Sequence, residues 1–172
     1  MVASLVDENI QVDAQYWMRA GEAAIRAWCG WHVSPQVTET LTVDTACGTC
    51  AVLPTMRIVD LVRVEYRGVE ITPAVSWSES GLIQYPEGFA EAYRSLKVTL
   101  THGYAPEEVP QIVALIATVG RRAADQKLVA SQTVNGASVS YLTAGGAPLS
   151  VPLLQIEKEM LAPYRLPGGI TC

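Results

Sequence analysis

Two kinds of apolar spacing follow one another along this chain, and together they restrict the folds it can adopt. Between residues 37 and 103 the apolar positions recur every second residue. Leu41 and Val43 alternate with threonines, Val62, Val64 and Tyr66 with Arg63, Glu65 and Arg67, and Leu96, Val98 and Leu100 with Lys97, Thr99 and Thr101. A period of two belongs to a strand with one buried face. Gly68 turns the chain from Tyr66 into Val69-Glu70-Ile71, and Glu79-Ser80-Gly81 turns it between Val75–Ser78 and Leu82–Tyr85. The spacing predicts a small sheet of about four to six short strands, antiparallel because the connections are too short for crossover helices.

On either side the period becomes helical. Ala14, Trp17, Met18, Gly21, Ile25 and Trp28 share one stripe, with Asp13 placed to cap and Gly30 to stop a helix over 13–29. Pro106-Glu107-Glu108 then sets acidic residues where a helix dipole favours them. Ile112, Ile116, Val119 and Ala123, widened by Val109, Val113 and Ala124, predict a helix over 107–129. Gly120 weakens its middle by up to ~1 kcal/mol relative to Ala; it either admits a close neighbour or is tolerated drift. Asn135-Gly136 predicts a hairpin over 131–143, and Ala144-Gly145-Gly146-Ala147-Pro148 reads as a hinge. Beyond it, Ser150 can cap a short helix carrying Leu153, Leu154, Ile156, Met160 and Leu161, which Pro163 ends. A greasy helix past a hinge is either a docking arm or a segment folded back on its own core. The resulting fold class is α+β: a helical core of N-terminal, long central and short C-terminal helices, with an inserted small antiparallel β-sheet. The domain spans 1–143, and a hinge and C-terminal arm span 144–172.

Bulk composition narrows the function. The length of 172 residues suits one domain with extensions. Hydrophobic residues make up 49% and charged residues 17%, against an ordinary charged share of ~25%, which is too apolar for disorder and fits either surface hidden by other subunits or a somewhat greasy monomer. A net charge of −5, with Arg121-Arg122 the one adjacent basic pair, argues against a protein that grips nucleic acid. No apolar run is long enough to span a membrane. Met1-Val2-Ala3-Ser4-Leu5 lacks the basic opening of a secretory signal, so synthesis in the cytoplasm is expected.

Few residues suggest chemistry. Cys47-Gly48-Thr49-Cys50 has CxxC spacing, but a redox pair wants a helix N-terminus, and this one lies in a strand-connecting turn. Cys29 and His32 could join it as a Cys3His zinc set, although the spacing is not diagnostic. His32 and His102 are the only histidines, no Gly-x-Ser-x-Gly elbow accompanies them, and neither a P-loop nor Gly-x-Gly-x-x-Gly is present. Glu65, Glu70, Glu79, Glu87 and Glu91 read as solvated carboxylates. No catalytic residue, metal ligand or cofactor site is therefore expected, with a small zinc or redox protein using Cys47 and Cys50 as the lesser alternative. Trp17, Trp28 and Trp31, with Ile112 and Ile116, are expected core or subunit-interface anchors; Trp77 stands apart.

Several stretches, taken in order, resemble a known family. Ile25-Arg26 with Cys29-Gly30-Trp31-His32, the strand Val37–Asp44, Leu53-Pro54, Val59–Val62, Trp77-Ser78, Gly81–Ile83, Val98–Tyr104, Val109-Pro110, Glu159–Leu161 and Tyr164–Pro167 are similar to head–tail adaptor (connector) proteins of long-tailed bacteriophages. The actinobacteriophage members are the most alike, and the resemblance covers residues 16–167. The departure is Cys47–Cys50, where the family more often carries a Gly/Asp-rich turn. The resemblance implies a virion structural protein of the neck that forms a dodecameric homo-oligomeric ring beneath the portal. That ring would extend the DNA channel, let genomic dsDNA pass without specific binding, and present a platform to the stopper and tail. It further implies that the C-terminal segment reaches the portal protein through Leu153, Leu154, Ile156, Met160, Leu161, Tyr164 and Leu166. Another tail-completion or assembly protein is the nearest alternative.

Overall fold

The computed structural model describes residues 13–124 and 153–167, together with the backbone of strand residues 131–134, 137–140, 143–144 and 147–148. The chain divides into two compact units, each taken here by itself: Arg26–Pro110 with Leu161–Cys172, and Met1–Ile25 with Gln111–Met160.

The first unit is built from strands β1 (Val37–Thr45), β2 (Gly48–Val52), β3 (Ile58–Tyr66), β4 (Val69–Glu70), β5 (Ser76–Trp77), β6 (Leu82–Phe89) and β7 (Ala92–His102). They form two antiparallel sheets, ordered β1-β7-β3-β4 and β2-β6-β5. Strand β7 is interior to its sheet. Leu96 lies opposite Val43 and Tyr66, and His102 opposite Val37 and Ile58. Alternation along β7 sends Leu96, Val98 and Leu100 fully inward, each worth about 1.5–3 kcal/mol of burial. They share one core with Val64, with Ala51 of β2, and with Ile83, Tyr85 and Phe89 of β6. Tyr66 helps tie the two sheets: its ring meets Phe89 edge-on at 5.2 Å, and its hydroxyl accepts the Ala90 N–H at 2.8 Å. The opposite face is polar, with Thr38 bonded to Thr101 at 2.7 Å and Thr40 to Thr99 at 2.8 Å. Arg67 and Gly68, with φ of 50° and 81°, make the tight β3–β4 turn that needs two positive-φ residues.

This architecture corrects the expected fold class. The sheet is not a small insertion in a helical core: seven strands build two sheets, and the described strands are as abundant as helix. The reason is physical. All the residues of the buried hydrophobic cluster around β7 come from the strand region, so the strands carry their own core. Strand β6 also runs past Pro86 to Phe89, because β5 pairs it only at Gln84 and Ile83, and a proline beyond that point interrupts no ladder bond to β5.

The second unit holds most of α1 (Ala14–Cys29), of α2 (Pro110–Ala124) and of α3 (Gln155–Leu161). Asp13 caps α1, its Oδ1 accepting the Tyr16 N–H at 2.8 Å. The expected long central helix is not found among the described residues. The 15 described residues of α2 start at Pro110, later than expected, because the residue before a proline avoids the helical region and Pro110 suits the first helical turn. Residues 125–129 of that expectation lie outside the described residues. The buried face of α2 is Ile112, Leu115, Val119, Gly120 and Ala123, while Val113 is 44% exposed.

Gly120 admits a close neighbour. A methyl group there would stand 3.1 Å from the Met18 Cα and 3.2 Å from the Trp17 carbonyl oxygen; one at Gly21 would stand 3.3 Å from the Gly120 nitrogen. The helices α1 and α2 thus approach backbone to backbone. Helix α3 is fastened through Glu157, whose carboxylate takes both Arg122 guanidinium nitrogens, at 2.6 and 3.0 Å, and the Leu154 N–H at 2.7 Å. The last bond is the reach-back arm of a capping box. The expected cap, Ser150, lies outside the described residues. Strands β8 (Ser131–Val134) and β9 (Ala137–Ser140) pair with Val134 opposite Ala137, so two residues connect them; Thr143–Ala144 (β10) likewise pairs with Ala147–Pro148 (β11). The turn residues Asn135-Gly136 and Gly145-Gly146 lie outside the described residues.

Two outcomes follow for the helical unit. Gly120→Ala should destabilise it despite better helix propensity, by about 1–3 kcal/mol from overpacking against backbone, and Gly21→Ala by less. Denaturant titration reads both, and a stabilising Gly120→Ala contradicts the close crossing. Burial raises the Glu157 carboxyl, but the Arg122 and Leu154 bonds outweigh it and hold the pKa below its usual 4.5. The stability it supplies is therefore complete above that value and disappears as acid protonates the folded carboxylate. Glu157→Gln should cost about 1–3 kcal/mol at neutral pH and remove that part of the acid dependence.

Candidate functional site

The residues that suggested chemistry are scattered. Cys47 is exposed between β1 and β2, and Cys50 lies inside β2, opposite Gln84 of β6. Neither stands at a helix N-terminus. Cys29 is fully buried at the end of α1, and burial pushes its thiol up to about 11, against a smaller opposing pull from Arg165. A thiol so poised is a packing group rather than a nucleophile. Among the described residues, no group of three or more His, Cys, Asp or Glu side chains gathers to hold a metal ion, so Cys29, His32, Cys47 and Cys50 do not form the Cys3His set.

A constellation that the sequence did not reveal surrounds His102. Its Nε2 lies 2.8 Å from Glu39 Oε1 and its Nδ1 3.0 Å from Thr55 Oγ1. Thr55 Oγ1 also accepts the Arg57 N–H at 3.3 Å. One assignment satisfies all three: Nε2–H donates to Glu39, and the Thr55 hydroxyl donates to Nδ1. The order of hydroxyl, imidazole and carboxylate is that of a nucleophilic triad, but Thr55 and His102 are each only 1% exposed. What the arrangement achieves is a tether, joining the ends of β1 and β7 to the segment before β3. The His32 ring lies 5.6 Å from that of His102, and its Nε2–H donates to the Pro35 carbonyl. Burial pushes the His32 pKa below its usual 6.5; the Pro35 bond opposes this, and Arg26 and His102 add to it.

The expected contact residues separate into three groups. Ile156 and Met160 stand 66% and 49% exposed, one turn apart on a single face of α3. Leu161 is buried, and Leu153 and Leu154 are half-buried. Tyr164 and Leu166 are held within the first unit. The Trp31 indole N–H donates to the Tyr164 carbonyl at 2.7 Å, the Leu166 N–H donates to the Cys29 carbonyl at 2.8 Å, and the Tyr164 ring meets Tyr104 edge-on at 5.7 Å. Of the expected anchors, Trp31 and Ile112 are buried, and Trp17, Trp28 and Ile116 are half-buried. The Arg165 guanidinium lies 4.7 Å over the Trp28 ring. Trp77 is 40% exposed and lines a shallow cavity of about 340 Å³ with Cys50, Ser76, Ser78, Leu82 and Gln84. A second, open groove of about 630 Å³ runs past Thr42, Asp44, Val52, Arg94 and Leu166.

No protein-family model matches the sequence, and no curated protein matches it either. The fold does have a solved counterpart. A chain from a structure described as the neck of a native GTA particle, computed with C12 symmetry, superposes with a TM-score of 0.55 at 12% identity. The match covers 94% of this chain and 88% of that one. At this identity the likeness is one of fold.

The His32 environment gives a pH dependence whose sign is fixed. The unfolded chain takes up this proton near 6.5 and the folded chain only at lower pH, so stability falls as pH drops below about 6.5 and levels off beneath the folded pKa. Melting curves should show that loss in the wild type, and His32→Gln should flatten it. A His32→Gln protein with an unchanged pH profile contradicts the assignment.

Proposed function

We propose that this chain is a structural protein of the neck of a phage-like particle. In this reading it is a head–tail adaptor that forms a homo-oligomeric ring beneath the portal, extends the DNA channel and carries the stopper or tail. The observation that carries the reading is the fold shared along 94% of the chain with a neck component from a particle computed with C12 symmetry. The sequence resemblance to adaptors, drawn from different evidence, supports the same role. So does the surface: the net charge of −5 suits a wall past which DNA slides without being gripped, and an adaptor needs no reactive centre. No helix among the described residues is long and apolar enough to cross a membrane. The place of action is the virion neck, reached from the host cytoplasm during assembly.

Within this reading, Ile156 and Met160 are the portal-facing pair of the C-terminal segment, since they are the members of that set left exposed. Each apolar side chain buried at a contact is worth about 1.5–3 kcal/mol, so replacing both should weaken binding at least about 100-fold. The test is co-purification of the full chain with its portal protein. Ile156→Glu with Met160→Glu should abolish capture while leaving the melting midpoint unchanged. Binding to tail-tube protein in place of portal selects the tail-completion alternative, and capture by neither removes the neck reading.

A further inference from the structure

The four-stranded sheet has two unlike ends. At one end, β3 is guarded: Val59 and Val62 are extra residues in bulges, β4 covers Glu65 and Tyr66, and Val64 exchanges bonds with Ile71 and the Thr72 hydroxyl. Bulges and cover of this kind are how sheets keep other strands away. At the other end, β1 is open. It pairs with β7 from Val37 to Val43 in unbroken register and, among the described residues, with no other strand. Its sequence, Val-Thr-Glu-Thr-Leu-Thr-Val, contains no proline, glycine or lysine. Its charged residue Glu39 is bonded to His102 rather than left to repel a neighbour. Thr38, Glu39 and Thr40 are exposed. Such an edge offers a row of backbone donors and acceptors to another strand.

The same chain holds two strands that, among the described residues, form only a two-stranded sheet of their own. Strands β8 and β9, four residues each, pair with one another and with nothing else described. A two-stranded hairpin alone is at best marginally stable in water and needs a third strand or a packed partner. At about 3.3 Å per residue a four-residue strand spans roughly 13 Å, well within the length of the nine-residue β1. The hairpin sequence, Ser-Gln-Thr-Val and Ala-Ser-Val-Ser, carries no charge to oppose Glu39 or Asp44.

We propose that the β8–β9 hairpin of one copy adds to the open β1 edge of a second copy, continuing the four-stranded sheet across the subunit boundary. The occupant is a second copy because the chain supplies both halves of the joint, an acceptor edge and a donor hairpin, in different places. A joint between unlike surfaces is head-to-tail, and repeated around an axis it closes into a ring, as the C12 symmetry of the structural counterpart requires of its own copies. The inference rests on the ring reading above and names the surfaces that make the ring.

The test uses the full chain in two arms. In the first, hydrogen exchange is followed across a concentration series spanning monomer and oligomer, beside a variant with residues 131–140 replaced by a Gly-Ser linker. Assembly should slow the amides of residues 38–43 at least tenfold, and the linker variant should lose assembly while β1 stays paired to β7. In the second, Cys47, Cys50 and Cys172 are changed to serine. Thr40→Cys protein is then mixed with protein carrying Gln132→Cys, Thr133→Cys or Val139→Cys. A disulfide forming only in the mixture joins β1 of one copy to the hairpin of another. Rings that form with no slowing at 38–43 and no cross-link overturn this joint and leave the ring intact. A chain that stays monomeric throughout, and with its portal protein, overturns both.

Discussion

The sheet unit depends on β7 burying one face completely while both of its edges are paired. A strand satisfied on two edges leaves no backbone polar group seeking water, so Leu96, Val98 and Leu100 can lie at zero exposure without an unpaired amide beside them. Strands β1 and β3 take their registers from it, and the threonine pairs fix the face turned away from the core. A one-residue slip of β7 would exchange Leu96, Val98 and Leu100 for Lys97, Thr99 and Thr101. His102 ends this row, and its placement explains why a polar side chain is tolerated at 1% exposure: both ring nitrogens have partners, and neither partner is another buried charge in want of one.

Periodicity made much of this legible. Asp13, the stripe to Trp28, the alternation along β7, and the turns at Gly68 and Gly81 are local signals, each decided within a few residues, whereas the alternation expected along β3 breaks at Val62, a bulge residue left 52% exposed. What escaped was decided at long range. The sheet has its own core because Ala51, Ile83, Tyr85 and Phe89 meet β7 and β3 across the sheets, and no local pattern says that a strand set will enclose itself. Glu39 and His102 are 63 positions apart, so their bond leaves no mark in either neighbourhood. The helix starts later than Pro106-Glu107-Glu108 predicts for a different reason: two glutamates suit the dipole, but Glu108 instead turns back to bond the Ala105 N–H at 2.7 Å, and Pro110 sets the start.

The expected contact set shows where sequence reasoning reaches its limit. Leu153, Leu154, Ile156, Met160, Leu161, Tyr164 and Leu166 look alike on paper. The structure distributes it: Leu161 is core, Tyr164 and Leu166 are bound to Trp31 and Cys29, and only Ile156 and Met160 present large apolar surface. An apolar side chain is equally consistent with core and interface until its neighbours are known, whereas exposure separates the two.

Closing a ring from identical subunits imposes a condition that a compact monomer does not meet: each copy must carry two different surfaces that fit one another. A protein short of charge and rich in threonine can satisfy that condition with backbone. Main-chain hydrogen bonds across a subunit boundary need no charged pair, which would lose strength as salt rises, and they leave the outer threonine face unaltered. They also explain an asymmetry that stability alone does not. Were monomer solubility the only pressure, both ends of the sheet would be guarded, yet among the described residues bulges and a covering hairpin protect β3 while β1 pairs with β7 alone. An edge kept open over seven regular pairings is the feature of this fold that another strand is best suited to complete.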